Sequence, residues 1–217
     1  MPLKSLIFDL DGTLLDTLQD LTASVNYALS RHNMPQRQAV EVRRFLGNGV
    51  KRLMASAVPD GEQNPHFEAA FADFKEYYVR HCLDLTRPYD GIPELLTTLH
   101  ANGYKMAIVS NKLQAGVTEL HQRFFADTID VAIGERDGIR RKPAPDMVIE
   151  AMRQLGVQPD EALYVGDSEV DLATAAAAGL PAIAVLWGFR DRNQLIACGA
   201  TRLASTPADI PSHLSTL

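Results

Sequence analysis

The chain has 217 residues, of which 46% are hydrophobic and 22% charged, an ordinary globular composition with enough apolar mass for a full core and a smaller second unit. Its 21 Lys and Arg against 27 Asp and Glu leave a net charge of -6, which repels a polyanion at long range and argues against nucleic acid as a partner. Cys82 and Cys198 lie far apart and in no metal-ligand spacing, so neither a disulfide framework nor a zinc site is expected, and a reducing cytoplasm fits best.

The first run, Leu3 to Phe8, reads as a buried strand that stops on Asp9, with Asp11 and Gly12 close behind. It is too short for a secretory leader and no stretch of about 18 apolar residues follows, so neither export nor membrane insertion is expected. From residue 16 to 87 the apolar spacing is helical throughout: Leu18, Leu21, Val25 and Ala28 form one stripe, Val50, Leu53, Met54 and Ala57 a second, Phe67, Phe71, Phe74 and Tyr78 a third. This stretch is expected to be an all-helical insert, entered through "DTLQD" and left through "RPYDGIP". Beyond it come the runs "KMAIVS", "DVAIG", "ALYVG" and "PAIAVLW", unalternating as in strands buried on both faces. Helical stripes lie between them, Val117, Leu120 and Phe124 on one and Val148, Met152 and Leu155 on another. Strand and helix alternate as in a parallel α/β sheet, so residues 1–15 and 88–217 are expected to form a catalytic core and 16–87 a separate helical domain.

Ligands of parallel α/β sheets bind at the carboxyl ends of strands. There the sequence sets Asp9 after the first run, Ser110 at the end of the second, Lys142 beyond the third and Asp167 after the fourth. Carboxylates crowded into one cleft repel unless a cation compensates, and Mg²⁺ is the hard ion that takes one or two carboxylates together with phosphate oxygens. Asp9, Asp167 and Asp171 are its candidate ligands, and Lys142 adds positive charge for a phosphate dianion. A carboxylate so placed can attack phosphorus and form an aspartyl phosphate, which makes Asp9 the candidate nucleophile. Asp11, two residues on along an extended strand, can reach the same centre as general acid and base. Gly12 allows a sharp turn that brings its N–H toward phosphoryl oxygens.

These residues carry a family resemblance. "FDLDGTL", "VSN" at Val109 to Asn111, "KPAPD" from Lys142 and "GDSEVD" from Gly166 resemble, in order and spacing, the motifs of the haloacid dehalogenase superfamily. "FLGNGVKRL" and "LWGFRDRNQL" are most similar to its phosphoglycolate phosphatase-type members. The resemblance implies a Rossmann-like core with a helical cap, Mg²⁺ as cofactor, and hydrolysis of a small phosphorylated substrate, 2-phosphoglycolate being the best guess, by a monomer or homodimer. It implies Asp9 as nucleophile, Asp11 as acid and base, Ser110 and Lys142 as phosphoryl binders and Asp167 as metal ligand, with Asn111 toward the substrate and the Asp11 backbone carbonyl toward the metal. Pyrophosphate, a sugar phosphate or a nucleotide are alternative substrates. A phosphosugar mutase would need a second phosphate site, for which Arg43, Arg44, Lys51 and Arg52 are candidates. A dehalogenase would not need Asp11, and a phospho-ligand sensor would not need intact motifs.

Plainer readings compete. "DLDG" could be a calcium loop, but its sixth and twelfth positions would be Leu14 and Asp20 rather than Gly and Glu. Asp171 could close a capping box with Ser168, and Ser110 could cap the helix that follows it. Arg140 and Arg141 read as a solvated turn, the scattered histidines as structural or surface groups, and the aromatic stripe as insert core. In "GNG" two flexible residues flank Asn48 within a helical stretch, which makes Asn48 a candidate substrate reader.

Overall fold

A computed structural model describes residues 3–47 and 49–214. In chain order, β1 (Ser5–Phe8) is followed by β2 (Leu15–Asp16), the helices α1 (Leu18–Arg31), α2 (Ala39–Phe45), α3 (Gly49–Ala57) and α4 (Phe67–His81), and β3 (Arg87–Pro88). Then α5 (Ile92–Ala101), β4 (Lys105–Leu113), α6 (Gln114–Phe124), β5 (Val131–Glu135), α7 (Asp146–Leu155) and β6 (Ala162–Gly166) alternate. The chain closes with α8 (Glu169–Ala178), β7 (Ala182–Val185), α9 (Arg192–Ala197), β8 (Leu203–Ala204) and α10 (Ile210–Leu214). It divides into two compact units, Met1–Leu15 with Pro88–Leu217, and Asp16–Arg87.

The first unit is an α/β sheet in the order β5-β4-β1-β6-β7-β8, every pair parallel. Leu6, Ile7 and Phe8 of β1 are wholly buried, the reason a central strand covered by helices on both faces reads as an unbroken apolar run. From β1 the chain builds outward to β4 and β5, then returns to the other side for β6 and β7. The carboxyl end of β1 is therefore the topological switch point, where open α/β sheets form their crevice.

Two strand expectations are corrected. Ser110 does not close the second run: β4 continues to Leu113, with its register on β5 shifting between Val109 and Leu113. The strand β8, paired to β7 through Ala184↔Leu203 and Val185↔Ala204, was not expected, because two residues are too short to show a period. In α6 the burial passes from Phe124 to Phe125, which is 2% exposed.

The second unit is built from α1 to α4. Val25, Ala28, Leu53, Met54, Phe67, Phe74 and Tyr78 are buried in it, so most of the aromatic stripe is core. Its ends are tied internally: the buried Asp20 carboxylate accepts N–H bonds from Leu85 at 3.0 Å and Thr86 at 2.8 Å. Among the described residues no helix is long and apolar enough to cross a membrane.

Candidate active site

The end of β1 is fixed by a further ladder bond, Asp9 N–H to Val165 O at 2.9 Å. The chain then folds back on itself, with Leu14 and Leu15 N–H donating to Leu10 O, both at 3.0 Å. Gly12 turns this corner at φ 88°, and a Cβ there would lie 2.5 Å from Asp167 Oδ2, so the position requires glycine on both counts. The expected use of the Gly12 N–H on a phosphoryl oxygen is corrected: it donates to Leu15 O at 2.9 Å, because the tight turn satisfies its own donors.

Lys142, in the loop between β5 and α7, is buried beside three partners. Its Nζ lies 2.7 Å from Asp9 Oδ1, 2.8 Å from Asp171 Oδ1 and 3.2 Å from the Tyr164 hydroxyl, which uses all three ammonium hydrogens. Asn111 holds the backbone beneath it from both sides: Lys142 N–H donates to Asn111 Oδ1 at 2.8 Å, and Asn111 Nδ2 donates to Lys142 O at 3.1 Å. The expectation that Asn111 faces substrate is therefore replaced by an amide engaged with the lysine's main chain. The Lys142–Pro143 peptide is cis.

Asp171 joins the two readings the sequence left open. Its Oδ2 accepts from Ser168 N–H at 3.0 Å and Ser168 Oγ at 2.6 Å, closing a capping box on α8. Its Oδ1 accepts from Lys142 and from the Tyr164 hydroxyl, the latter at 3.1 Å. Chain donors thus surround both oxygens. Asp9, Asp167 and Asp171 nevertheless form one buried acidic group whose oxygens lie within 4.8 Å of one another.

Asp167 leaves β6 and is gripped by two loops, accepting from Phe189 N–H at 2.6 Å and Thr13 Oγ1 at 3.3 Å. Trp187 Nε1 donates to Thr13 O at 2.9 Å, joining the β7 loop to the β1 loop. Arg190 is buried and bonds Glu169 through two nitrogens, at 2.7 and 2.9 Å. On the other side of Asp9, Lys112 Nζ bonds Asp11 at 2.9 and 3.1 Å, and Ser110 Oγ accepts Lys112 N–H at 3.2 Å.

The electrostatics are those of acids short of positive charge. Burial first, then the Asp171 charge, pushes Asp9 well above the usual carboxylate range, against the pull of Lys142. Burial and Asp171 push Asp167 up to about 7. For Lys142, burial alone would favour the neutral amine, but Asp171 and Asp9 outweigh it and hold the ammonium firmly charged. A buried all-oxygen cluster of this kind suits a hard divalent cation.

The structure thus brings Asp9, Asp167, Asp171 and Lys142 together and sets Asp11 on Lys112, whereas Asn48 lies outside the described residues. Sequence reasoning gave no role in the site to Lys112, Tyr164, Thr13 or the Trp187–Arg190 loop; Lys112 and Thr13 stand next to Asn111 and Gly12, which it did name. A cavity of about 620 Å³ lined by Leu3, Lys4, Leu99, Tyr104 and Pro211 opens at the amino ends of β1 and β4, remote from this chemistry.

Residues 6–185 match the family model of the haloacid dehalogenase-like hydrolases. The chain is 34% identical over 190 residues to N-acetylmuramic acid 6-phosphate phosphatase of Pseudomonas aeruginosa, covering 87% of this chain and 84% of that one. It is equally 34% identical, over 194 residues, to the phosphoglycolate phosphatase of Mesorhizobium japonicum, with 87% and 85% covered. A solved structure from Lactobacillus delbrueckii subsp. bulgaricus, provisionally described as a phosphoglycolate phosphatase, superposes with a TM-score of 0.94 at 36% identity and 99% of each chain covered.

Proposed function

Because the chain belongs to the haloacid dehalogenase-like hydrolases and is a phosphatase of that family, we propose that it hydrolyses small phosphomonoesters through an aspartyl phosphate on Asp9, with Mg²⁺ as cofactor and 2-phosphoglycolate as preferred substrate. The observation that carries this reading is the Asp9 carboxylate at the switch point, held 2.7 Å from a buried ammonium.

Lys142 holds one Asp9 oxygen and so orients the other toward phosphorus. In the first half-reaction that oxygen bonds to phosphorus, the ester P–O bond breaks, and Asp11 gives its proton to the departing alkoxide. In the second, Asp11 takes a proton from the attacking water, the bond between phosphorus and Asp9 breaks, and inorganic phosphate leaves. Lys142 and the Ser110 hydroxyl hold the phosphoryl oxygens, while Asn111 fixes the lysine's main chain and Asp171 its side chain. Asp9, Asp167 and the Asp11 carbonyl are the groups that would hold Mg²⁺, Asp171 adding negative charge to the cluster. When bound, the ion supplies the positive charge that neutralises phosphoryl oxygens.

The phosphoglycolate phosphatase relatives support the substrate. The N-acetylmuramic acid 6-phosphate phosphatase relative supports a second reading, a sugar phosphate. Phosphate release from a panel of both kinds, with Mg²⁺ and with EDTA, decides between them. Turnover should require Mg²⁺ and fall at least about a thousandfold in Asp9→Asn, with circular dichroism unchanged, since an amide cannot serve as the nucleophile. Full activity in that variant, or indifference to EDTA, overturns the mechanism.

A further inference from the structure

Two lysine ammonium groups are built into the catalytic rim, and the mechanism above uses one. The other, Lys112, is placed as deliberately. Its side chain is 7% exposed. Its stem runs along the first turn of α6, where a Cβ at Gly116 would meet its Cδ at 3.4 Å and its Cγ at 3.5 Å. Its N–H is held by Ser110 Oγ, and its carbonyl lies so close to β5 that a Cβ at Gly134 would approach it to 2.7 Å. Burying a long cation this way costs side-chain entropy and hydration. The outcome is an ammonium at 2.9 and 3.1 Å from the two oxygens of Asp11.

We propose that Lys112 is a specificity-determining residue that selects phosphomonoesters whose leaving group carries a carboxylate beside the ester oxygen. This deepens the proposed function and rests on Asp11 facing the leaving group. A group that gives its proton to the ester oxygen must stand about 3 Å from it. Lys112 stands one further hydrogen bond beyond. A carboxylate joined to the ester oxygen through a single carbon reaches that ammonium, and Lys112 then exchanges part of its bonding to Asp11 for an equivalent charge-assisted bond to substrate. A neutral leaving group offers nothing for the exchange and sets an apolar end against a buried charge. Lys142 is already assigned to Asp9 and to the phosphoryl oxygens, and Arg190 is engaged with Glu169.

The test compares 2-phosphoglycolate with ethyl phosphate, which replaces the carboxylate by a methyl group, in the wild type, Lys112→Met and Lys112→Arg. The wild type should prefer 2-phosphoglycolate in kcat/KM by at least about tenfold, as expected when a site pairs a charge that the analogue lacks. Lys112→Met should lower that ratio by at least about tenfold, and Lys112→Arg should restore part of it. Product inhibition gives a readout separate from turnover: in Lys112→Met the glycolate inhibition constant should rise at least about tenfold, while that of inorganic phosphate moves by less than about threefold. If both esters lose the same factor and both inhibitors weaken together, Lys112 only supports Asp11 and the proposal fails. A wild type that turns over ethyl phosphate as well as 2-phosphoglycolate overturns the Lys112 proposal and the preference for 2-phosphoglycolate, and leaves phosphomonoester hydrolysis through Asp9 standing. A wild type that hydrolyses no phosphomonoester overturns the proposed function, and this inference with it.

Discussion

Asp167 illustrates what burying one acid against another does to its charge. In the folded protein without an ion it titrates at about 7, against an ordinary value of 3.8. Between those values the folded state binds a proton that the unfolded chain has released. Asp167 therefore contributes stability that is present near the acid end of that window and is lost as pH rises through about 7. Asp9 is displaced in the same direction. An ion held by these carboxylates must displace their protons, so its binding strengthens as pH rises. Adding a fixed concentration of Mg²⁺ should raise the melting temperature more at pH 8 than at pH 6; equal shifts would mean that the ion avoids this cluster. The convergence of Asp9 and Asp167 was legible because each directly follows an apolar run that must be a buried strand, and that of Lys142 because it lies in the loop after another; Asp171, within α8, stayed open between metal ligand and helix cap. Lys112 and Tyr164 were not, since a lone lysine or tyrosine beside a motif looks the same whether it points to solvent or into the site.

Elements were legible where their periodicity was long. The central strands announced themselves as unbroken apolar runs, and α7 by Val148, Met152 and Leu155 on one face, all buried. What could not be read was how one loop grips another. The stretch "LWGFRDR" after β7 carried a family resemblance but no assigned contact, yet its Phe189 N–H holds Asp167 at 2.6 Å. Gly188 is what lets it come so close, for a Cβ there would fall 2.3 Å from Asp167 Cβ and 2.4 Å from the Gly12 carbonyl. Neither neighbour is the far end of a flexible side chain, so Gly188→Ala must move the loop or the carboxylate. Overpacking of this kind costs about 1–3 kcal/mol. The Mg²⁺ concentration for half-maximal activity should rise along with that loss of stability. An alanine variant with unaltered melting temperature and Mg²⁺ requirement would show that the loop yields without disturbing Asp167.

At the scale of the whole molecule, the residues proposed to carry the reaction all lie in the sheet-containing unit, while Asp16–Arg87 forms a unit with its own buried side chains. The stretch was legible as helical because no strand-like run interrupts it. Its internal tie, Asp20 to the N–H groups of Leu85 and Thr86, was not, because a carboxylate meeting backbone far along the chain leaves no trace in local spacing. Reaction chemistry belongs to a site, whereas the choice among substrates is free to reside in an appended unit. Within the insert Gly47 and Gly49 sit at φ 109° and 78°, conformations that an L side chain rarely adopts. Alanine at either position would be strained in its own backbone, and neither residue belongs to the acidic cluster. Gly47→Ala or Gly49→Ala, or Asn48→Ala between them, should therefore reorder kcat/KM among phosphoesters that all bear a carboxylate on the carbon carrying the ester oxygen, such as 2-phosphoglycolate, phospholactate and 2-phosphoglycerate. The half-saturating Mg²⁺ concentration should stay within about twofold. Restricting the series to carboxylates keeps the contribution of Lys112 constant, so any new ranking reports on the insert. Weakened Mg²⁺ dependence with an unchanged ranking would mean instead that this loop serves the catalytic core and that the choice of substrate is made elsewhere.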